Sequence, residues 1–550
     1  MAQHLNLDAE VSLLSSCRLS YDIMKTIAIV VLSTAVLAVA ATVQTPGQII
    51  TVPAGGDLQD AIDRAQPGDT ITLEAGATYS GNFVLRAKDG NTFITIRTAD
   101  NEGLPGPDTR VDPSNASSLA KLKSPNSQAV MRTDPNAHHW RLELLEFQAN
   151  SAGTSDIMLL GDGSSAQRDL DIVPRDLVVD RIYMHGDPGR GTKRGIALNS
   201  ASTNIINSYI SDIKAAGQDS QALGGWNGPG PYVIDNNYLE ASGENFMMGG
   251  SDALIPNLVP SDIIFRRNHL SKPLEWRRSK WTVKNLFELK NARRVLVENN
   301  VLEYNWQAGQ PGYAIVLTPR NSNGNSPWST VEDITFRSNI VRHVAAVFNV
   351  LGTDDARPSG PARRINVQNN LFFDVDSSAW GGNGVFMQLG EGPADVTVDH
   401  NTILHTGNLV SAYGGSKDKP TPIVGFDFEN NVARHNTYGV FGTGRSPGMD
   451  TLSTFFPGAI FTHNVLAGGK ASRYPGGNLF TSVADFDKQF ADPKDGNFRL
   501  IPSSNWKGAA SDGSDLGANI DALGQVLDNV GFRERPDRPR PGRGRGGIQE

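Results

Sequence analysis

Four side chains could perform acid–base chemistry at one place. In Phe287-Glu288-Leu289-Lys290 the residues alternate with period two, which sets Phe287 and Leu289 on one face of a strand and Glu288 and Lys290 on the other. Equivalent strands fall at Asn245 to Met248, Ile315 to Thr318, Phe348 to Leu351 and Phe386 to Leu389, so Phe246, Phe287, Ile315, Phe348 and Phe386 should form one inward stack. On the outward side, Arg320 lies one repeat later and Glu244 one repeat earlier. Acidic and basic groups gathered on an outer strand face between long loops would make a cleft for carbohydrate. The bland alternative is an exposed Glu288–Lys290 ion pair worth less than about 1 kcal/mol.

A loop beside these residues carries Lys272, Trp276, Arg277, Arg278, Lys280, Trp281 and Lys284, five positive charges and two indoles suited to an anionic sugar chain. Arg294 and Asn349 join the same candidate binding surface; a solvated insertion is the competing reading of the loop. Glu244, Asn245 and Asp252, in GENFMMGGSD, offer the oxygen ligands that a calcium ion prefers, or they simply fix a Gly-rich turn. His269, His343, His400, His405 and His463 are scattered without paired metal spacing and read as structural.

The elements that position these groups announce themselves as a repeat. The pattern apolar-x-apolar-x-x-Asn-x-apolar recurs at Asn237, Asn268, Asn300, Asn339, Asn370, Asn401 and Asn431, with looser copies at Asn207 and Asn464, at spacings of about 30 to 39 residues. Short β-branched strands with no helical periodicity between them predict an all-β fold, a parallel β-helix with three strands per coil. Asn suits the bend because it tolerates a left-handed backbone and its amide can bond along the stack. The 57 glycines and 31 prolines among 550 residues fit a chain that turns every few residues, and 39% hydrophobic content suffices for a narrow continuous core. A formal net charge of -8 argues against a general nucleic-acid binder.

Residues 24–40, Met24-Lys25 and then an apolar run ending Ala38-Val39-Ala40, read as a signal peptide, which makes residues 1–23 upstream sequence outside the fold. A lipoprotein box ending at Cys17 would need a basic start and an apolar run that are not there. The signal implies a secreted or periplasmic protein, expected to be a monomer and free of the membrane once the signal is cut, and because Cys17 is the single cysteine the mature protein should have no disulfides. Leu58, Ala61, Ile62 and Ala65 have helical spacing and predict a short helix that caps the first coil. The β-helix should span residues 48–520, with Asp515 to Asn519 as its last turn. A tail at 521–550 follows, disordered from about 533, where six arginines alternate with Pro and Gly.

The opening VPAGGDLQDAIDRAQPGDTITLEAGATYSGNFVL, with the Asn repeats, resembles the secreted right-handed parallel β-helix proteins of the pectin-lyase-like superfamily. That superfamily holds lyases, hydrolases, esterases and phage spikes, so the resemblance speaks to fold before function. The Glu-x-Lys strand followed by an Asn bend is similar to alginate lyases and chondroitinase B. The similarity implies that Lys290 abstracts the proton beside a uronate carboxylate, that Arg320 assists the leaving oxygen, and that Glu288 with Glu244 helps hold calcium. The chain departs from those enzymes after the arginine, where Asn321-Ser322 replaces His-Gly. A glycoside hydrolase would need carboxylates about 5 to 9.5 Å apart, for which Asp354-Asp355 with Glu244 or Glu288 are the candidates. A non-catalytic glycan-binding protein would use the same groove without a tuned base.

Overall fold

The computed structural model describes residues 47–149 and 155–530. The expected upstream segment, signal peptide and Arg-rich tail lie outside them. Among the described residues no helix is long and apolar enough to cross a membrane.

Each coil lays one short strand into each of three parallel sheets, of 14, 14 and 12 strands among the described residues. The first sheet begins at Ile49–Val52, the second at Thr78–Ser80 and the third at Phe83–Leu85. One coil runs Asn285–Leu289 in the third sheet, Ala292–Glu298 in the first and Val301–Asn305 in the second. The interior is a continuous apolar column in which Phe246, Phe265, Phe287, Phe336, Phe348 and Phe372 are fully buried. The helix Leu58–Arg64 covers the first coil with Leu58, Ala61 and Ile62 inward, and Asp57 caps its amino end by accepting from the Asp60 N–H.

The Asn bend forms a ladder. From Asn237 through Asn268, Asn300, Asn339, Asn370, Asn401, Asn431 and Asn464 to Asn478, each Nδ2 donates to the next Oδ1 at 2.9–3.2 Å. The same oxygens also accept a backbone N–H from the preceding coil, as Asn300 Oδ1 does from Asn268 at 2.8 Å. The left-handed conformation, however, belongs to the residue before each ladder Asn: Asn236, Arg267, Asn299, Ser338, Asn369, His400, Asn430 and His463 all have φ between 52° and 58°, and Gly477 before Asn478 has φ 84°. The two jobs given to one Asn are therefore divided between neighbours. Asn207 is likewise one place early: Ser208 occupies the ladder position, its N–H donating to Asn237 Oδ1, while Asn207 bonds Asp180 and Asn236.

In register the inward stack runs Phe246, Phe287, Ile315, Phe348 and then Met387, where the strand entering that coil starts, while Phe386, just before it, is buried as expected with its ring 5.8 Å from that of Phe348. The carboxyl end also differs from expectation. After the last coil strand, Leu479–Thr481, the chain turns back and lies over the outer face of the second sheet as two helices flanking an antiparallel hairpin. Phe486, Phe490, Phe498, Trp506, Leu516, Leu523 and Val526 there pack on Val301, Ile340, Leu371, Val432 and Val465. Asp515 to Asn519 is thus part of this cover, with the Gly517, Ala518 and Asn519 N–H groups bonded back to three successive coils. The helix Ile520–Asn529 continues it.

Candidate active site on the third sheet

The outer face of the third sheet is a strip one side chain wide per coil. Its outward residues pair in the order Met247, Glu288, Val316, Asn349, Gln388, Ser411 and Phe441. Alternation places Glu288 here as expected, but the carboxylate is far from exposed. Glu288 is 1% accessible; its Oε1 lies 3.2 Å from Lys290 Nζ and its Oε2 accepts from Asn285 Nδ2 at 3.2 Å. The surface ion pair of the bland reading is instead a largely covered one, and a buried pair is costly to break from either side.

Lys290 sits where the strand leaves the third sheet, and its aliphatic stem is held by Gly249 and Gly250. A Cβ on Gly249, whose φ is +92°, would come within 2.8 Å of Lys290 Cβ, so only glycine allows this approach. The Lys290 carbonyl accepts the Arg320 N–H at 2.9 Å, which brings the arginine to the same margin. Arg320 Nη1 bonds Asp354 Oδ1 at 2.8 Å and also Asp355. Burial works against its charge, but the two carboxylates outweigh it and hold the guanidinium above the ordinary arginine range.

Glu244 is fully buried one coil earlier. Its Oε2 accepts from Gln221 Nε2 at 2.8 Å, and Lys284 Nζ, also paired with Asp219, stands 3.6 Å from Oε1. Burial pushes this carboxyl up to about 7, with the charges of Glu288 and Asp219 adding and Lys284 and Lys290 opposing. Burial also works against the charge of Lys284, but Glu244 and Asp219 outweigh it and raise its pKa. Because the folded carboxyl is raised above its unfolded value near 4.5, the folded state binds the extra proton between those values, and stability falls as pH rises from about 4.5 to 7. Glu244→Gln should remove that slope and gain up to about 3 kcal/mol on the wild type at pH 8 but little at pH 4.5. Guanidinium unfolding at the two pH values measures it; an equal gain at both would sink the assignment.

The expected calcium set does not assemble. Asn245 points into the coil, donating to the Leu239 and Ser271 carbonyls, and Asp252 anchors a loop by accepting from the Asn323 and Asn325 N–H groups. Among the described residues no group of three or more His, Cys, Asp or Glu side chains could hold a metal ion. Two buried oxygens near Glu288 nevertheless lack a hydrogen bond, Glu244 Oε1 and Asn285 Oδ1, on residues directly paired in register. Asn285 is the site residue that sequence reasoning missed. Its signal was its place two residues before the stacked Phe287, matching Glu244 before Phe246.

The basic loop divides. Lys272 is fully buried and donates to the Ala241, Ser242 and Gly243 carbonyls and to Asn245 Oδ1, so it does not meet substrate. Trp276 is buried against Val283, Trp306, Ala345 and Trp380. Half-buried Trp281 lies against Lys214 and Lys280, Arg277 stacks on Trp306 and Trp380, and Arg278 is exposed. Lys284 alone of the loop reaches the carboxylates. Arg294 lies on the first sheet, paired with Asp262, and is not part of this surface; Asn349 is, two coils from Glu288. Four of the five histidines have partners that suit structural roles: Glu303, Asp374, Asp399 and the Arg434 carbonyl hold His269, His343, His400 and His405.

No known protein family and no curated protein sequence matches the chain. Solved structures do. A mutant of the PL6 family alginate lyase AlyGC superposes over 90% of this chain with a TM-score of 0.53 at 13% identity, and the chain spans 59% of that protein's length. A mannuronic acid specific polysaccharide family 6 lyase from human gut microbiota gives 0.50 at 13% identity, covering 88% of this chain and 99% of its own. At that identity the likeness is one of fold, and the fold this chain shares with both is the right-handed parallel β-helix.

Proposed function

We propose that this protein is an exported polysaccharide lyase that cleaves a uronic-acid-containing polymer by β-elimination. The observation that carries the reading is the convergence of Lys290, Glu288, Glu244, Lys284 and Arg320 on one outer sheet face across three successive coils. A β-elimination needs a base for the proton beside the carboxylate, positive charge for the developing enolate and help for the leaving oxygen. Of the two amines, Lys284 is paired with Asp219 and Glu244, which raise its pKa, and this leaves Lys290 as the base. It does so as the free amine, after the contact to Glu288 opens. Lys284 supplies charge for the uronate carboxylate. Arg320, fixed by Asp354 and Asp355, assists the leaving oxygen as a permanent positive charge.

A hard cation is supported by the two unbonded oxygens, Glu244 Oε1 and Asn285 Oδ1, with Glu288 beside them. Calcium bound there would neutralise the substrate carboxylate and complete its shell with substrate and water oxygens. Glu244, Asn285 and Glu288 replace the expected Glu244, Asn245 and Asp252 as its holders.

Purified mature protein incubated with a panel of uronic-acid polymers should give a rise in ultraviolet absorbance from the unsaturated product. Chelator should suppress the rise and added calcium restore it. Reducing ends without absorbance would instead mark a hydrolase, and silence in both assays a glycan-binding protein.

A further inference from the structure

The strip changes character on either side of Glu288. Toward the amino end its floor is Leu159, Ala197, Gly224 and Met247, small or apolar, beside a margin in which Asp156, Arg194, Gln221 and Glu244 pair in register and three of the four are ionisable. Toward the carboxyl end the floor is uncharged: Val316, Asn349, Gln388 and Ser411 on four successive coils. Asn349, Gln388 and Ser411 are each partly accessible. They are held in a fixed pattern, since Gln388 Nε2 donates to Asn349 Oδ1 at 3.2 Å and Gln388 Oε1 accepts from Tyr313 at 2.9 Å. Asn383 and Asn408 line the same flank, bonded to the Tyr313 hydroxyl and to Ser411. On the opposite flank stand carboxylates, Asp355 and Glu391, close enough to Tyr413 to raise its hydroxyl pKa after burial has done so. The floor ends at Phe441, which stacks on exposed Tyr438 with ring centroids 5.3 Å apart.

We propose that this stretch is a subsite for uncharged sugar residues, so that the substrate is a heteropolymer in which the uronate at Lys290 is followed by neutral sugars. The proposal rests on the lyase reading for the position of the uronate alone. Successive coils rise about 4.8 Å, close to the length of one pyranose in an extended chain, so a polymer lying along the axis meets one floor residue per sugar. Amides and hydroxyls match the alternating donors and acceptors of sugar hydroxyls, and an aromatic face suits the apolar side of a pyranose ring. A second uronate placed there would face Glu391, and the one cation at that margin, Arg320, is already paired with Asp354 and Asp355.

The test is calorimetric binding to the Lys290→Arg variant, which should leave the sugar intact. The probes are two hexasaccharides: one made of uronates only, the other carrying a single uronate and five neutral hexoses. The mixed probe should bind about tenfold tighter, a difference near 1.4 kcal/mol. Gln388→Ala, added to that variant, should weaken the mixed probe by about 3- to 10-fold, the worth of one to two hydrogen bonds. Tyr438→Ala should act in the same sense. Equal binding of the probes, preference for the all-uronate one, binding of neither, or an unchanged preference in Gln388→Ala would each overturn the proposal. The ultraviolet assay is independent of this result, so failure of the lyase reading shows there and failure of the subsite shows here.

Discussion

Lys290→Ala should lose the ultraviolet-detected activity by about 10² to 10⁴-fold, the usual worth of a positioned general base. Alanine alone would leave the question of folding open, because it strips Glu288, 1% exposed, of the ammonium 3.2 Å away. Lys290→Arg answers it. Arginine keeps a positive charge beside Glu288 but cannot become a free base near neutral pH, so the variant should be as inactive as alanine while unfolding within about 1 kcal/mol of the wild type. An active Lys290→Arg would remove Lys290 from the chemistry and leave it a structural partner of Glu288.

The largest effect on stability should come from Lys272→Met. Methionine keeps most of the volume but takes the ammonium away from the Ala241, Ser242 and Gly243 carbonyls and from Asn245 Oδ1 in a corner that water does not reach, where the Ser242 and Gly243 carbonyls keep another donor, the Lys284 and Asn285 N–H groups. Burial brings the Lys272 ammonium down to about 7, and each buried acceptor left unsatisfied costs about 1 to 3 kcal/mol, so the variant should lose about 3 kcal/mol. Guanidinium unfolding should show that loss, and activity should fall with it, since the same corner carries Glu244 into the site. A variant within about 1 kcal/mol of the wild type would mean that the corner repacks and that Lys272 is dispensable.

The two lysines show how far the sequence could be read. Lys290 was legible because period-two alternation around Phe287 fixes which way it leaves the strand. Lys272 has no such neighbour: it follows Ser271 at the end of the strand His269–Ser271, where a lysine ordinarily reaches solvent. Only the convergence of three carbonyls from the coil before makes it internal, and that depends on contacts about 30 residues away. The coil itself was legible because ladder Asn and β-branched strands repeat. The register slipped at Phe386, where the loop before Met387 carries no marker residue, and at Asn207, where serine takes the ladder place. The covering segment at 482–530 was unreadable as such because its aromatic residues follow no coil period. Asp252 and Asn245 were misplaced for one reason: proximity in sequence to Glu244 says nothing about which side of a corner an oxygen faces.

The ladder spacing carries a consequence for how such a protein can be altered. Asn300 and Asn339 are 39 residues apart while Asn339 and Asn370 are 31 apart, yet both pairs keep the same amide contact, 2.9 and 3.1 Å. The extra residues are taken up at the rims of the third sheet, as in the stretch after Leu317 that carries Arg320, and the three strands of the coil do not notice them. Rim segments can therefore be lengthened, trimmed or exchanged between homologous scaffolds without re-registering the interior. Diversification of what the surface recognises and conservation of what holds the chain upright are, in this architecture, separable problems.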